Sequence, residues 1–159
     1  MTEGAHHLAQ LNVAKMRGAA DSEVMASFMA QLDEVNAVAD EAPGFVWRLQ
    51  SEDGAATSIQ AFDDDRILVN MSVWKSMQAL RDFAYAGRHL EVLRDRREWF
   101  KSYVGPYQVL WWVRAGHVPT VDEAKRKLAH LEQHGPTAAA FTFQQPFEAA
   151  SAVGVEAAD

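Results

Sequence analysis

Apolar and polar residues change period several times along this chain, and each change marks an element. From His7 to Met16 they alternate: Leu8, Gln10, Asn12 and Ala14 share one face, and His7, Ala9, Leu11 and Val13 the other. Apolar groups on both faces predict a central strand covered on both sides. Gly18 and Asp21 punctuate its end, and Asp21 or Ser22 is placed to cap a helix. From Ser22 to Asp40 the apolar positions Val24, Phe28, Leu32, Val35 and Ala39 follow helical spacing, and Pro43-Gly44 stops the run. Phe45 to Gln50 reads as a second strand, with Phe45, Trp47 and Leu49 facing one way and Val46, Arg48 and Gln50 the other.

Ser51 to Asp65 is a loop. Its run Asp63-Asp64-Asp65 lacks the alternate spacing of a calcium loop and reads as a solvated turn. Ile67 to Trp74 is a third strand, with Asn70, Ser72 and Trp74 on one face and Val69, Met71 and Val73 on the other. Ser76 opens a short helix striped by Met77, Leu80 and Phe83, which Gly87 breaks. A second helical segment is expected from Arg88 to Ser102, carrying His89, and Gly105-Pro106 ends it. Tyr107 to Arg114 is a fourth strand. Thr120 with Glu123 forms a capping box for a last helix reaching about His134. The Phe141-Thr142-Phe143 alternation suggests a short docked strand, and 144–159 a mobile tail behind a 7–143 domain.

The order β-α-β-β-α-β plus a terminal helix predicts an α+β fold: a ferredoxin-like, antiparallel four-stranded sheet with two helices on one face. The other face would be bare although its residues are apolar. A second copy is the economical cover, so a homodimer is expected.

Composition narrows the partners. The 159 residues suggest one domain, and 48% hydrophobic with 23% charged residues is an ordinary globular balance. The net charge of −7 repels phosphate backbones and argues against nucleic acid. No basic-then-apolar leader opens the chain, and no apolar run approaches the roughly 18 residues that span a bilayer. With no cysteine, these features predict a cytoplasmic protein with no membrane partner. Five Trp are many: they pack a core, or line a cavity or dimer seam. The chain carries no P-loop, dinucleotide fingerprint, nucleophile elbow or zincin helix.

The stretch VNMSVWKSMQALRDF resembles the signature of the dimeric α/β-barrel superfamily, which includes antibiotic-biosynthesis-type and haem-degrading monooxygenases. LAQLNVAKM, PGFVWRLQ, NMSVWKSMQALRDF, RHLEVLRDRREWF, LWWVRAGHVPTVDEA and HGPTAAAFTF are more closely similar to one family within it, DUF3291, which has no settled activity. The resemblance runs from about His7 to Phe143 and implies a barrel of two subunits, each with a pocket between sheet and second helical region. In haem-degrading relatives an Asn on the first strand, a Trp on the second helix and a later His shape that site. Asn12 matches the Asn and His89 the His, while Phe83 stands in the Trp position and lacks its N–H donor. Haem degradation by that route is not what this pattern implies.

The candidate site follows. His89 is the expected base, with Asn12 beside it as the second catalytic residue. Arg48, Asn70, Trp47, Trp74 and Phe83 are the expected substrate-binding residues. Arg48 on a covered strand needs an anionic partner: Glu41, Glu91, Glu98 or a ligand. His130 and His134 stand one helical turn apart without a useful third ligand, and no metal site is expected. Three functions compete. One is a cofactor-free, monooxygenase-like enzyme acting on a small apolar or aromatic molecule. Another is a haem-binding protein with His89 as axial ligand. The third is a non-catalytic ligand-binding module.

Overall fold

Strand β1 (His6–Met16) runs through the middle of an antiparallel sheet in the computed structural model, which describes residues 6–18, 22–50, 67–85, 99–101 and 107–149. On one side it pairs with β3 (Ile67–Trp74), from Leu8 opposite Trp74 to Lys15 opposite Ile67. On the other side it pairs with β5 (Gln108–Arg114), from His6 opposite Arg114 to Asn12 opposite Gln108. β2 (Phe45–Arg48) lies outside β3. The order β2-β3-β1-β5 is the ferredoxin-like one that the alternation of elements predicts. β1 holds eleven residues with no Gly or Pro, so it can serve two neighbours along its length.

The last turn of β1 pairs instead with β4 (Phe100–Lys101), Lys15 opposite Lys101 and Met16 opposite Phe100. This corrects the expectation that the helical segment from Arg88 extends to Ser102. Phe100 sits edge-on to Phe28, 5.0 Å between ring centres. Its strand bonds satisfy backbone that would otherwise leave β1 unpaired there. The start of that segment, with His89, lies outside the described residues, as does the Asp63-Asp64-Asp65 loop.

One sheet face is apolar through its middle, between His7 and Lys15 of β1. Ala9, Leu11 and Val13 of β1, Val69, Met71 and Val73 of β3, and Val109, Trp111 and Val113 of β5 are all buried there. Helix α3 (Val121–His134) packs over its β1–β5 half with Ala124, Leu128 and Leu131, spaced so that all three fall on one stripe. The side chains of the face expected to lie bare are buried within one chain.

Thr120 caps α3 by accepting from the Glu123 amide at 3.1 Å. The other half of the capping box is diverted. The Glu123 carboxylate accepts from Trp111 Nε1 at 2.9 Å and meets His117 Nε2 at 2.7 Å. The cap residue thereby ties the helix to the sheet under it.

The opposite face is split. Helix α1 (Ala26–Glu41), entered through a 3₁₀ turn at Glu23–Met25, packs Phe28, Met29 and Leu32 against Met16, Leu68 and Trp99. Helix α2 (Met77–Ala84), capped by Ser76 Oγ on the Ala79 amide at 3.1 Å, packs Met77, Leu80 and Phe83 against Leu8, Trp74 and Leu110. The C-terminal segment joins this second cluster. Phe141 exchanges two backbone hydrogen bonds of 2.8 Å with Leu110, as the Phe-Thr-Phe alternation suggests. Trp112 Nε1 then donates to the Phe147 carbonyl at 2.8 Å. The described part of the C-terminal segment is therefore tied to the sheet through Phe147.

Candidate functional site

Cross-strand pairing arranges the split face in rows. The first row is Trp112, Leu8, Trp74 and Phe45; the second is Leu110, Gln10, Ser72 and Arg48; the third is Gln108, Asn12 and Asn70. The next pair, Ala14 and Leu68, begins the seat of α1. Two polar rows thus lie between an aromatic row under α2 and an apolar seat under α1. Side chains directly opposite on antiparallel strands stand about 5 Å apart, so neighbours within a row meet.

Asn70 is exposed, Asn12 is half-buried, and Gln10 and Ser72 are buried. The buried pair is bonded into a chain. Trp74 Nε1 donates to Ser72 Oγ at 2.8 Å. Gln10 Nε2 donates to the same Oγ at 2.9 Å and to Asn70 Oδ1 at 2.7 Å. Polar side chains inside an apolar sheet must be bonded, since an orphaned donor costs about 1–3 kcal/mol. Here they serve each other and leave the outer amides, Asn70 and Asn12, at the edge.

The aromatic row forms a wall. The Trp74 indole stacks on Phe83, 5.1 Å between ring centres at 26°, and meets Phe45 edge-on at 5.5 Å and 79°. Phe83 therefore backs Trp74 and its indole N–H. That N–H is already spent on Ser72.

The expected site residues part into three groups. Asn12, Asn70, Trp74 and Phe83 come together on the split face. Arg48 shares that face, but its guanidinium grips Asp40 at the last turn of α1, Nε to Oδ1 at 2.7 Å and Nη2 to Oδ2 at 3.3 Å. Among the described residues Arg48 has a carboxylate partner in Asp40, which the expectation did not name; Glu91 and Glu98 lie outside the described residues. The guanidinium offsets an acidic group at the negative end of a helix. Trp47 goes to the other face. A bulge between Phe45 and Trp47 shifts the register, so Trp47 pairs with Val73 and packs in the cluster under α3. The expectation that Phe45 and Trp47 share a face is corrected by that extra residue. His89 lies outside the described residues.

Gln10 and Ser72 are the residues that sequence reasoning did not single out. The signal was present: each stands two positions from a chosen Asn on an alternating strand, so the period of two places it in the next row.

Away from this face, burial first and the charge of Lys75 second lower the pKa of His7. The His130 and His134 rings lie 4.5 Å apart, with His130 Nε2 3.2 Å from Thr137 Oγ1. Among the described residues, no three His, Asp or Glu come together as a metal site. Among the same residues, no helix is long and apolar enough to cross a membrane.

Residues 7–157 match DUF3291, described as a domain of unknown function. No curated protein matches the chain. Among solved structures, SnoaB, a cofactor-independent oxygenase from Streptomyces nogalater, aligns at 21% identity and TM-score 0.44, covering 72% of this chain and 97% of its own. Rv0793 from Mycobacterium tuberculosis aligns at 14% and 0.44, with the same coverage of 72% and 97%. A conserved protein from Methanosarcina mazei aligns at 11% and 0.48, covering 70% and 95%.

Proposed function

The chain belongs to the DUF3291 family, and we propose that it binds a small, flat, apolar or aromatic molecule on the split face of its sheet. The observation that carries this reading is the pair of polar rows lying between the Trp74–Phe83 wall and the α1 seat. The Trp74 indole is itself buried, so a flat molecule would meet the outer row, its polar substituents reaching Asn70 and Asn12.

The finer reading is oxidation without a cofactor. The substrate would supply all four electrons to dioxygen. Two C–H bonds of one carbon would give way to a carbonyl, and the second oxygen atom would leave as water. The protein's share is placement, exclusion of water and movement of a proton. His89 is the base in this reading on the strength of its sequence position, and Asn12 and Asn70 hold the ring. The haem alternative rests on His89 alone.

The test is mass spectrometry of small molecules that stay with the purified protein, compared between wild type and the Asn12→Leu/Asn70→Leu double variant. An aromatic compound retained by wild type and lost from the variant is expected. Equal retention by both, or no aromatic compound in either, refutes the binding reading. Oxygen uptake by wild type on the retained compound, abolished in His89→Ala, separates an enzyme from a binding module.

A further inference from the structure

An amide side chain has two donors at one end and an acceptor oxygen at the other, and only its neighbours decide which end faces where. On the split face the decision starts from a group with no choice. The indole N–H of Trp74 can only donate, so Ser72 Oγ must accept it. The Gln10 amide then reaches both Ser72 Oγ and Asn70 from a single atom.

Two arrangements satisfy those contacts. With Nε2 at that atom, both Gln10 hydrogens are used, one on each partner; Oε1 and the hydroxyl hydrogen of Ser72, whose oxygen then accepts twice, are left without a partner among the described residues. With the amide reversed, an oxygen takes the Ser72 hydroxyl hydrogen and an Asn70 N–H, and both Gln10 N–H bonds go idle on a residue only 4% exposed, two idle donors against one. Buried N–H groups are almost never left idle, while an under-used carbonyl oxygen is tolerated more readily. The first arrangement wins, and it fixes Asn70. Its Oδ1 is committed to Gln10, so its Nδ2 turns away from the chain toward the exposed side with two hydrogens to give.

We propose that Gln10 is a positioning residue that holds Asn70 as a hydrogen-bond donor, so that the site selects flat ligands bearing an acceptor oxygen, a ring carbonyl or phenolate, over ligands bearing a donor. The selection rests on the aromatic-ligand reading above; the orientation of Asn70 does not. Gln10 itself lies a row behind Asn70 and acts through it.

The full chain tests this in two measurements. Side-chain amide NMR without ligand is expected to show the Gln10 NH₂ protons protected from solvent exchange and the Asn70 NH₂ protons exchanging freely; the reverse pattern overturns the proposal. NMR titrations then compare three bicycles: 1-indanone with a carbonyl, indole with an N–H, and indane with neither. Wild type is expected to prefer 1-indanone over indole by about fivefold, the worth of one hydrogen bond. Gln10→Met keeps the side chain's length and removes both polar ends. It should bring that preference to within about twofold of unity and leave indane affinity unchanged. A merely structural role would weaken all three ligands together, and that result, or an unchanged preference in Gln10→Met, overturns the positioning role. If none of the three binds wild type, the aromatic-ligand reading falls and the selectivity falls with it. An amide pattern as expected would then leave the orientation of Asn70 standing.

Discussion

Ser72→Ala is the sharpest perturbation of the split face, because one oxygen there serves two donors. Ser72 Oγ accepts from Trp74 Nε1 at 2.8 Å and from Gln10 Nε2 at 2.9 Å. Trp74 is 1% exposed, so its N–H has no water to fall back on. Orphaning a buried donor costs about 1–3 kcal/mol. Gln10 keeps its bond to Asn70 and forfeits one ordinary hydrogen bond, about 1 kcal/mol. The sum is a loss of about 2–4 kcal/mol, which for a chain of this length lowers the melting temperature by roughly 5–10 °C. The assay is urea unfolding followed by tryptophan fluorescence and circular dichroism. A double-mutant cycle isolates the cause. In a Trp74→Phe background the indole donor is already gone, so Ser72→Ala should cost only about 1 kcal/mol, leaving a coupling of about 1–3 kcal/mol. A coupling below about 0.3 kcal/mol would mean that the indole does not depend on Ser72, and the bonded chain would be wrong as described.

Two further outcomes follow from other parts of the fold. Burial and Lys75 lower the pKa of His7 below its ordinary 6.5, so the unfolded chain takes up a proton that the folded one resists. Stability from this source is full above that ordinary value and is lost as pH falls through it toward the lowered one; His7→Gln should flatten that part of the pH–stability curve, and an unchanged slope below pH 6.5 would refute the assignment. Because the apolar sheet face is buried within one chain, the melting temperature should not change over a hundredfold dilution; a rise with protein concentration, as an obligate dimer demands, would show that this burial is not sufficient.

Much of the scaffold was legible because it is written in local periods. Alternation marked β1 and β3, and helical spacing with Ser76 and Thr120 caps marked α2 and α3. Where the period stayed unbroken it also sorted faces correctly, placing Gln10 with Asn12 and Ser72 with Asn70 and Trp74. One inserted residue defeated it in β2: a bulge cannot be read from alternation, and it sent Trp47 to one face and left Phe45 and Arg48 on the other. Phe100 and Lys101 failed for a related reason, since their strand state comes from pairing with Met16 and Lys15, more than eighty positions away.

By itself, then, the sequence determined which residues could share a face of the sheet, because side-chain direction along a strand is a local property of the backbone. Only the tertiary structure decided what those faces meet. It put α3 over the apolar side and gave Arg48 to Asp40. It also joined Trp74, Ser72, Gln10 and Asn70 into one bonded chain. Those partners are set by register between strands sixty residues apart, and no local pattern fixes register across such a distance.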